Sequence, residues 1–159
     1  MTFKEIITKL GIDAGIEGGY PVDEDGVVRL VFDNAFFLGM MEVESDGSLL
    51  MWSPVAELPE AGGAKLPVEI LKANFFGRAS AGGTLSLSDE GVVFIHCQLS
   101  LAGLEHDEFR RRLEGLVSAA IEWRQIIESC RDGVLTDESA KMRHANELRD
   151  MERGGFLQV

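Results

Sequence analysis

The chain has 159 residues, and its 15 Lys and Arg against 27 Asp and Glu give a formal net charge of −12. This negative charge repels phosphate backbones and anionic bilayers, and therefore argues against nucleic-acid and membrane-surface partners. With 45% hydrophobic and 26% charged residues, the composition is that of one globular domain that can bury a core.

Targeting signals and cysteine chemistry are the next features to consider. No stretch reaches the roughly 18 consecutive apolar residues of a membrane span, and the first residues lack the apolar core of a secretory signal. Cys97 and Cys130 are too few for a disulfide framework and do not form a CxxC pair. We therefore expect a protein of the reducing cytoplasm.

A short amphipathic helix is predicted at the beginning of the chain. Thr2 and Glu5 have the spacing of a capping box, and Gly11 is the predicted end of the helix. The Gly- and Asp-rich segment that follows, with a turn at Gly26, is predicted to be a loop. The apolar face of the helix has the spacing i, i+3, i+4, i+7: Phe3, Ile6, Ile7 and Leu10.

Three strand-like runs follow, at Val27–Phe32, Ala35–Glu44 and Ser48–Val55, separated by short turns. Loops this short join antiparallel neighbours, so the runs predict a meander. Alternate positions on both sides of the first two strands are apolar. Such a sheet needs helices on both faces, or a partner on one of them.

A second helix is predicted from Pro67 to Phe76, with Gly77 as its end. Pro67 suits a first helical turn because it has no backbone N–H to leave unpaired there. The helix is strongly apolar, and we expect it to be buried against more than one surface. Its apolar residues are Ile70, Leu71, Phe75 and Phe76.

Two further strands, Thr84–Ser88 and Val92–Leu101, precede a long helix over about 107–128. This helix has a broad apolar stripe, interrupted by Arg124, and is expected to cover one face of the sheet. The second strand has an apolar face that is expected to point into the core: Val93, Ile95, Cys97, Leu99 and Leu101.

The element order α-β-β-β-α-β-β-α predicts an α+β domain with an antiparallel five-stranded twisted sheet. We assign residues 1–130 to this domain. Residues 131–159 are more polar and are assigned to a C-terminal extension, with a marginal helix over 136–153.

Candidate catalytic and metal-binding patterns are weak. His96 and Cys97 are adjacent on a strand, so their side chains point to opposite faces and form neither a nucleophilic pair nor a shared metal site. The glycine-rich segment 77–84 lacks the Lys-Ser/Thr of a P-loop and precedes a strand, which favours a helix-to-strand connection. The acidic clusters at 23–25 and 42–46 are interpreted as solvated turns. We predict no catalytic, cofactor or metal site.

Four segments in a specific order carry a family resemblance: LLMWSPVAELP (49–59), LPVEILKANFFG (66–77), GGTLSLSDEGVVFIHCQLSLAGL (82–104) and AAIEWRQII (119–127). Over about residues 1–130 the chain resembles the class I type III secretion chaperones of the Tir chaperone family. The most specific pieces are Leu71, Ala73, Asn74 and Phe75 before the glycine loop, the Leu101–Leu104 run, and Trp123. The chain departs from the family at the cap of its last helix, where it has Glu105-His106-Asp107.

The resemblance implies a small acidic homodimer of the bacterial cytoplasm. Such a protein binds the N-terminal region of a secreted effector and keeps it competent for export, without cofactor or nucleotide hydrolysis. The residues themselves agree, since an unfolded segment can add a strand at a sheet edge and seat alternate side chains in an apolar groove.

The predicted effector-binding groove is the set of outward-facing apolar side chains of the meander. Methionines suit such a groove because their flexible side chains adapt to different partners. Burial of the same set in the core, under the first helix, is an equally good interpretation. The groove residues are Phe36, Leu38, Met40, Leu50 and Trp52.

The predicted dimer interface combines the second helix with the far face of the fifth strand. A purely intrachain core is the alternative. The interface residues are Leu71, Phe75, Phe76 and Phe94.

Two other functions are kept beside the chaperone. One is a regulatory protein-interaction module of the same fold; a neighbouring secretion apparatus or effector gene would favour the chaperone over it. The other is an enzyme that uses Cys97 or an acidic pair, for which replacing Cys97 would abolish turnover.

Overall fold

The computed structural model describes residues 1–32, 36–59, 65–77 and 79–131. The element order α-β-β-β-α-β-β-α is confirmed. The predicted helix over 136–153 lies outside the described residues. The elements are α1 (Phe3–Asp13), β1 (Val27–Phe32), β2 (Phe36–Val43), β3 (Ser48–Glu57), α2 (Lys65–Ala73), a 3₁₀ turn (Phe75–Gly77), β4 (Thr84–Leu87), β5 (Val92–Ser100) and α3 (His106–Arg131).

The described strands form one antiparallel five-stranded sheet in the order β1-β2-β3-β5-β4. The first three strands are the predicted meander. After α2 the chain forms a second hairpin, whose β5 pairs with β3 and whose β4 lies at the edge. The long strands β3 and β5 therefore occupy the middle of the sheet, and β1 and β4 are its edges.

Helix α1 has the predicted capping box. The Glu5 N–H donates to the Thr2 hydroxyl at 3.2 Å, and the Thr2 N–H donates to the Glu5 carboxylate at 2.8 Å. The helix continues two residues beyond Gly11, to Asp13. Gly11 is needed for packing instead, because a Cβ there would lie 2.3 Å from the Cα of Gly19.

Helix α2 begins and ends earlier than predicted. It starts at Lys65, so Pro67 lies within its first turn, and regular helix stops at Ala73. The chain then makes a 3₁₀ turn in which Phe76 has φ +56°. This left-handed conformation is unfavourable for a bulky residue and cannot continue an α-helix.

The core lies between one face of the sheet, here called the core face, and the helices. Phe3, Ile6 and Ile7 of α1 and Phe109 and Trp123 of α3 are buried against it. The predicted core residues of β5 are confirmed as buried, except that Leu99 is half-buried. The sheet contributes Val28, Leu30, Phe36, Leu38, Met40, Leu49, Met51, Val93, Ile95 and Cys97 to this core.

Arg124, which interrupts the apolar stripe of α3, has a structural partner. Strand β3 contains a bulge between Pro54 and Ala56. The Arg124 guanidinium donates to the carbonyls of Val55 at 2.9 Å and Pro54 at 3.4 Å, and lies 5.5 Å from the centre of the Phe36 ring. A charged side chain thus supplies donors where the bulge disrupts the ladder.

Within the described part of the chain, no helix is both long and apolar enough to cross a bilayer.

Candidate functional site

The second face of the sheet, here called the open face, is apolar but only partly covered. Residues paired across antiparallel strands share a face, so the pairs of Met41 with Leu50 and of Trp52 with His96 assign these residues to it. Met41, Leu50 and Trp52 do not belong to the buried core described above and do not pack against it. The half-buried side chains of the open face include Phe37, Met41, Leu50, Trp52, Phe94 and His96.

Trp52 is the central side chain of the open face. Its indole lies over Gly39 of β2, where a Cβ would come within 2.4 Å of the ring. Gly39 therefore leaves the space that lets the indole lie across the neighbouring strand. On its other side Trp52 pairs with His96, whose Nδ1 lies 3.4 Å from the Ser86 hydroxyl.

The prediction that five residues form one outward groove is wrong. Phe36, Leu38 and Met40 are buried on the core face, as the alternative interpretation held, whereas Leu50 and Trp52 lie on the open face. The reason is register, because Leu50 pairs with Met41 and not with Met40.

Sequence reasoning left Phe37 and Met41 out of the groove, although both lie on the open face. A usable signal was the turn between β2 and β3. It pairs Val43 with Ser48, and counting back from that pair in an antiparallel ladder reaches Met41 with Leu50.

A second exposed surface, here called the α2 patch, consists of Val68, Leu71, Phe75 and Phe76. Leu71 is 70% exposed, Phe75 66% and Phe76 79%, and the two phenyl rings are 4.4 Å apart. The expectation that α2 is buried on more than one side is wrong for this chain alone, because only Leu66 and Ala73 of the helix are buried. Phe94 lies on the open face and pairs with Ser86 of β4, the strand that α2 contacts.

Cys97 and possible metal ligands are the remaining chemical groups near the sheet. Cys97 points into the core, away from His96, as predicted. Burial raises the pKa of the Cys97 thiol to about 11, against a smaller opposing effect of Arg112. Such a thiol stays protonated at neutral pH and is a poor nucleophile. Among the described residues, no three His, Cys, Asp or Glu side chains come together as metal ligands.

The glycine-rich segment is a packed connection, in agreement with the sequence-based interpretation. The Trp123 indole N–H donates to the Ala79 carbonyl at 2.8 Å, and Ser80 is fully buried. A Cβ on Gly83 would lie 2.8 Å from the His96 carbonyl oxygen. Its glycines therefore allow close backbone approach to β5 and α3.

Solved structures share this fold. A chain of the ExsC–ExsE complex superposes with a TM-score of 0.67 at 18% identity, over 80% of this chain and 97% of that one. The Yersinia pestis type III secretion chaperone SycH, solved with a fragment of YscM2, gives 0.62 at 18% identity over 76% and 98%. The HopA1–SchA chaperone–effector complex gives 0.63 at 18% identity over 77% and 93%.

Sequence comparison reaches the same class of protein. A protein of Chlamydia pneumoniae is 28% identical over 120 residues, which are 76% of this chain and 88% of that protein. The sequence pattern of the Tir chaperone protein (CesT) family matches residues 5–124, nearly the whole described domain. The family resemblance noted in the sequence is thus confirmed, and the chain belongs to the Tir chaperone protein (CesT) family of type III secretion chaperones.

Proposed function

We propose that this protein binds the N-terminal segment of a type III secretion effector on its open face, as a homodimer in the bacterial cytoplasm. In this role it keeps the effector competent for export. The observation that carries the proposal is the open face itself: a half-buried apolar surface around Trp52, on a sheet whose other face already has its helices.

The shape and chemistry of the open face suit an extended apolar segment. Side chains along a sheet face leave shallow rows between strands, into which alternate side chains of an unfolded partner insert. Trp52 supplies a large contact area, and Met41 adapts its shape to the partner. The effector gains cover for side chains that would otherwise aggregate.

The net charge of the chain also favours an unfolded effector segment as the partner. The net charge of −12 attracts a basic, unfolded segment and keeps the unloaded chaperone soluble. Cys97 and Cys130 are both free and buried, which suits a reducing compartment.

The α2 patch is the proposed dimer interface, together with Phe94. Exposed apolar groups of this size mark interaction sites, and aromatic residues are enriched in interfaces. An acidic chain repels a second copy of itself except where its local charge is balanced. At the edge of the α2 patch, Lys72 and Glu69 form an ion pair of 2.9 Å, so two copies can approach there.

We assign no enzymatic activity to the protein. The raised pKa of Cys97 and its position in the core disfavour nucleophilic catalysis. We expect Cys97→Ala to leave effector binding unchanged, because the thiol lies on the core face, opposite the open face.

The binding site is tested with the effector that co-purifies from the native host, identified by mass spectrometry. We expect Trp52→Ala to weaken binding of its N-terminal segment by roughly 10- to 100-fold in calorimetry, because a Trp that becomes buried on binding is a typical hot spot. Leu113→Ala, a core substitution on α3, is the control for general destabilisation. Unchanged affinity in a Leu50→Ala, Trp52→Ala double variant would overturn the open-face site.

The dimer is tested separately by light scattering after gel filtration. Phe76→Asp should convert a dimer into a monomer, because it places a charge in an apolar contact. The matched control is Leu50→Asp on the open face, which should weaken effector binding and leave the dimer intact. A monomeric wild-type protein would contradict this part of the proposal.

A further inference from the structure

The side chain of Asn74 makes an unusual pair of hydrogen bonds with the sheet. Its Nδ2 donates to the Leu85 carbonyl at 2.9 Å, and its Oδ1 accepts from the Leu85 N–H at 2.8 Å. Leu85 lies in β4, an edge strand. A single amide group therefore satisfies both backbone groups of one edge residue, as a neighbouring strand would.

The Asn74 side chain is held in this position by its own backbone. The Asn74 N–H donates to the Ile70 carbonyl as the last bond of α2, and the Asn74 carbonyl accepts from the Gly77 N–H as the 3₁₀ turn begins. Because this backbone is fixed between two helical segments, only the side-chain torsions of Asn74 have to be ordered when its amide pairs with Leu85. The end of α2 therefore lies against the outer edge of β4.

This pairing leaves little of the β4 edge available. In an edge strand alternate residues turn their N–H and C=O outward, so within the four-residue strand Thr84–Leu87 those of Leu85 and Leu87 point away from β5. Asn74 occupies Leu85. One remaining residue is too short a ladder for an incoming strand.

The opposite edge, β1, is closed only at its beginning. The Asp23 carboxylate accepts from the Val27 N–H at 2.9 Å, and the Asp23 N–H donates to the Val27 carbonyl at 2.9 Å. By the same alternation, Arg29 and Val31 turn their backbone N–H and C=O groups outward, and among the described residues these groups have no hydrogen-bond partner beyond the sheet. Val31 is 62% exposed beside them.

We infer that Asn74 closes the β4 edge, and that a strand of the bound partner is thereby directed to β1. Asn74 is a positioning residue in this account, since it acts on where the partner lies without touching it. The directing role depends on the proposed function, whereas the closure of β4 is a property of the free chain.

Closure is tested on the free protein by amide hydrogen exchange measured with NMR. We expect the Leu85 amide to exchange slowly in the wild type and at least roughly tenfold faster in Asn74→Ala. Asn74→Asp keeps an oxygen acceptor for the Leu85 N–H but has no N–H to donate to the Leu85 carbonyl, so it should restore only part of the protection. The Ile95 amide on β5 should be unaffected in both variants, which shows that they are folded. Equal Leu85 exchange in wild type and Asn74→Ala would overturn the inference.

Direction is tested with a synthetic octapeptide of alternating Val and Lys that carries a nitroxide label. In the wild type we expect line broadening at Arg29 and Val31 and none at Leu85 and Leu87. In Asn74→Ala broadening should also appear at Leu85 and Leu87. Broadening at β4 in the wild type, or its absence there in the variant, would overturn the inference. Neither experiment uses the effector. A failure of effector binding would therefore contradict the proposed function and leave the closure of the β4 edge untouched.

Discussion

The two faces of the sheet are built from similar residues and have different fates. The core face presents Leu38, Met40 and Met51 to α1 and α3, whereas on the open face no helix of the described residues lies over Met41, Leu50 and Trp52. Apolar composition therefore does not distinguish a core from a binding surface in this domain. The difference is whether another element of the same chain reaches the face.

The open face leaves apolar side chains in contact with water. A small domain that leaves a sheet face uncovered retains apolar surface that water does not favour. The net charge of −12 keeps the protein in solution despite that exposed apolar surface. In the proposed function, the effector segment covers this face.

The largest expected effect is a difference in stability between substitutions at two adjacent residues of β2, one on each face of the sheet. Met40→Ala should lower the free energy of unfolding by about 2–4 kcal/mol, because it leaves a cavity in a closed core. Met41→Ala should cost under about 1 kcal/mol, because its side chain is half-buried on the open face. Urea unfolding at one fixed protein concentration measures both. Equal losses would mean that the open face is packed like a core.

The next effect concerns how α3 is held over the core face. Arg124→Met should cost about 1–3 kcal/mol in the same unfolding assay, because the Val55 and Pro54 carbonyls lose their guanidinium donor. Arg111→Met, an exposed position of the same helix, is the control and should change stability by less than about 0.5 kcal/mol. A loss no greater than that of the control would show that the bulge finds other donors.

The smallest expected effect is the pH dependence of stability that Cys97 causes. Cys97 faces the core, whereas its neighbour on β5, His96, lies on the open face. The folded-state pKa of Cys97 is raised from 9.0 to about 11. The protonated thiol is therefore favoured by folding, so its contribution to stability is complete below about pH 9 and is lost as the pH rises from 9 to 11.

Thermal unfolding between pH 7 and 11 measures this contribution. Cys97→Ala should lose some packing at every pH, and its stability should fall less steeply than that of the wild type within the window. Parallel curves for the two proteins would indicate that the thiol is not desolvated in the folded state.

Local patterns predicted much of this molecule. The element order, the bounds of β1, the capping box of Thr2 and Glu5, and the core residues of β5 all follow from periodicity and turn residues in short windows. These features depend on residues close in sequence, for which propensity and spacing are sufficient. Both the overall architecture and the family were within reach for that reason.

The candidate site was only partly predictable. Leu50 and Trp52 lie half-buried on the open face, but Phe36, Leu38 and Met40, which were grouped with them, are buried on the core face. Two-residue periodicity separates the faces of each strand and does not say which face of one strand joins which face of the next. The exposed aromatic residues of the α2 patch were likewise indistinguishable from core residues until the position of the helix was known.

The sequence by itself determined the elements, their order and the two apolar faces of the sheet, because those are consequences of local spacing. Only the tertiary structure decided which face α1 and α3 cover, which edge Asn74 reaches, and that Trp52 lies across Gly39. Each of these is a contact between distant parts of the chain, and its geometry depends on register and packing that no short stretch of residues contains.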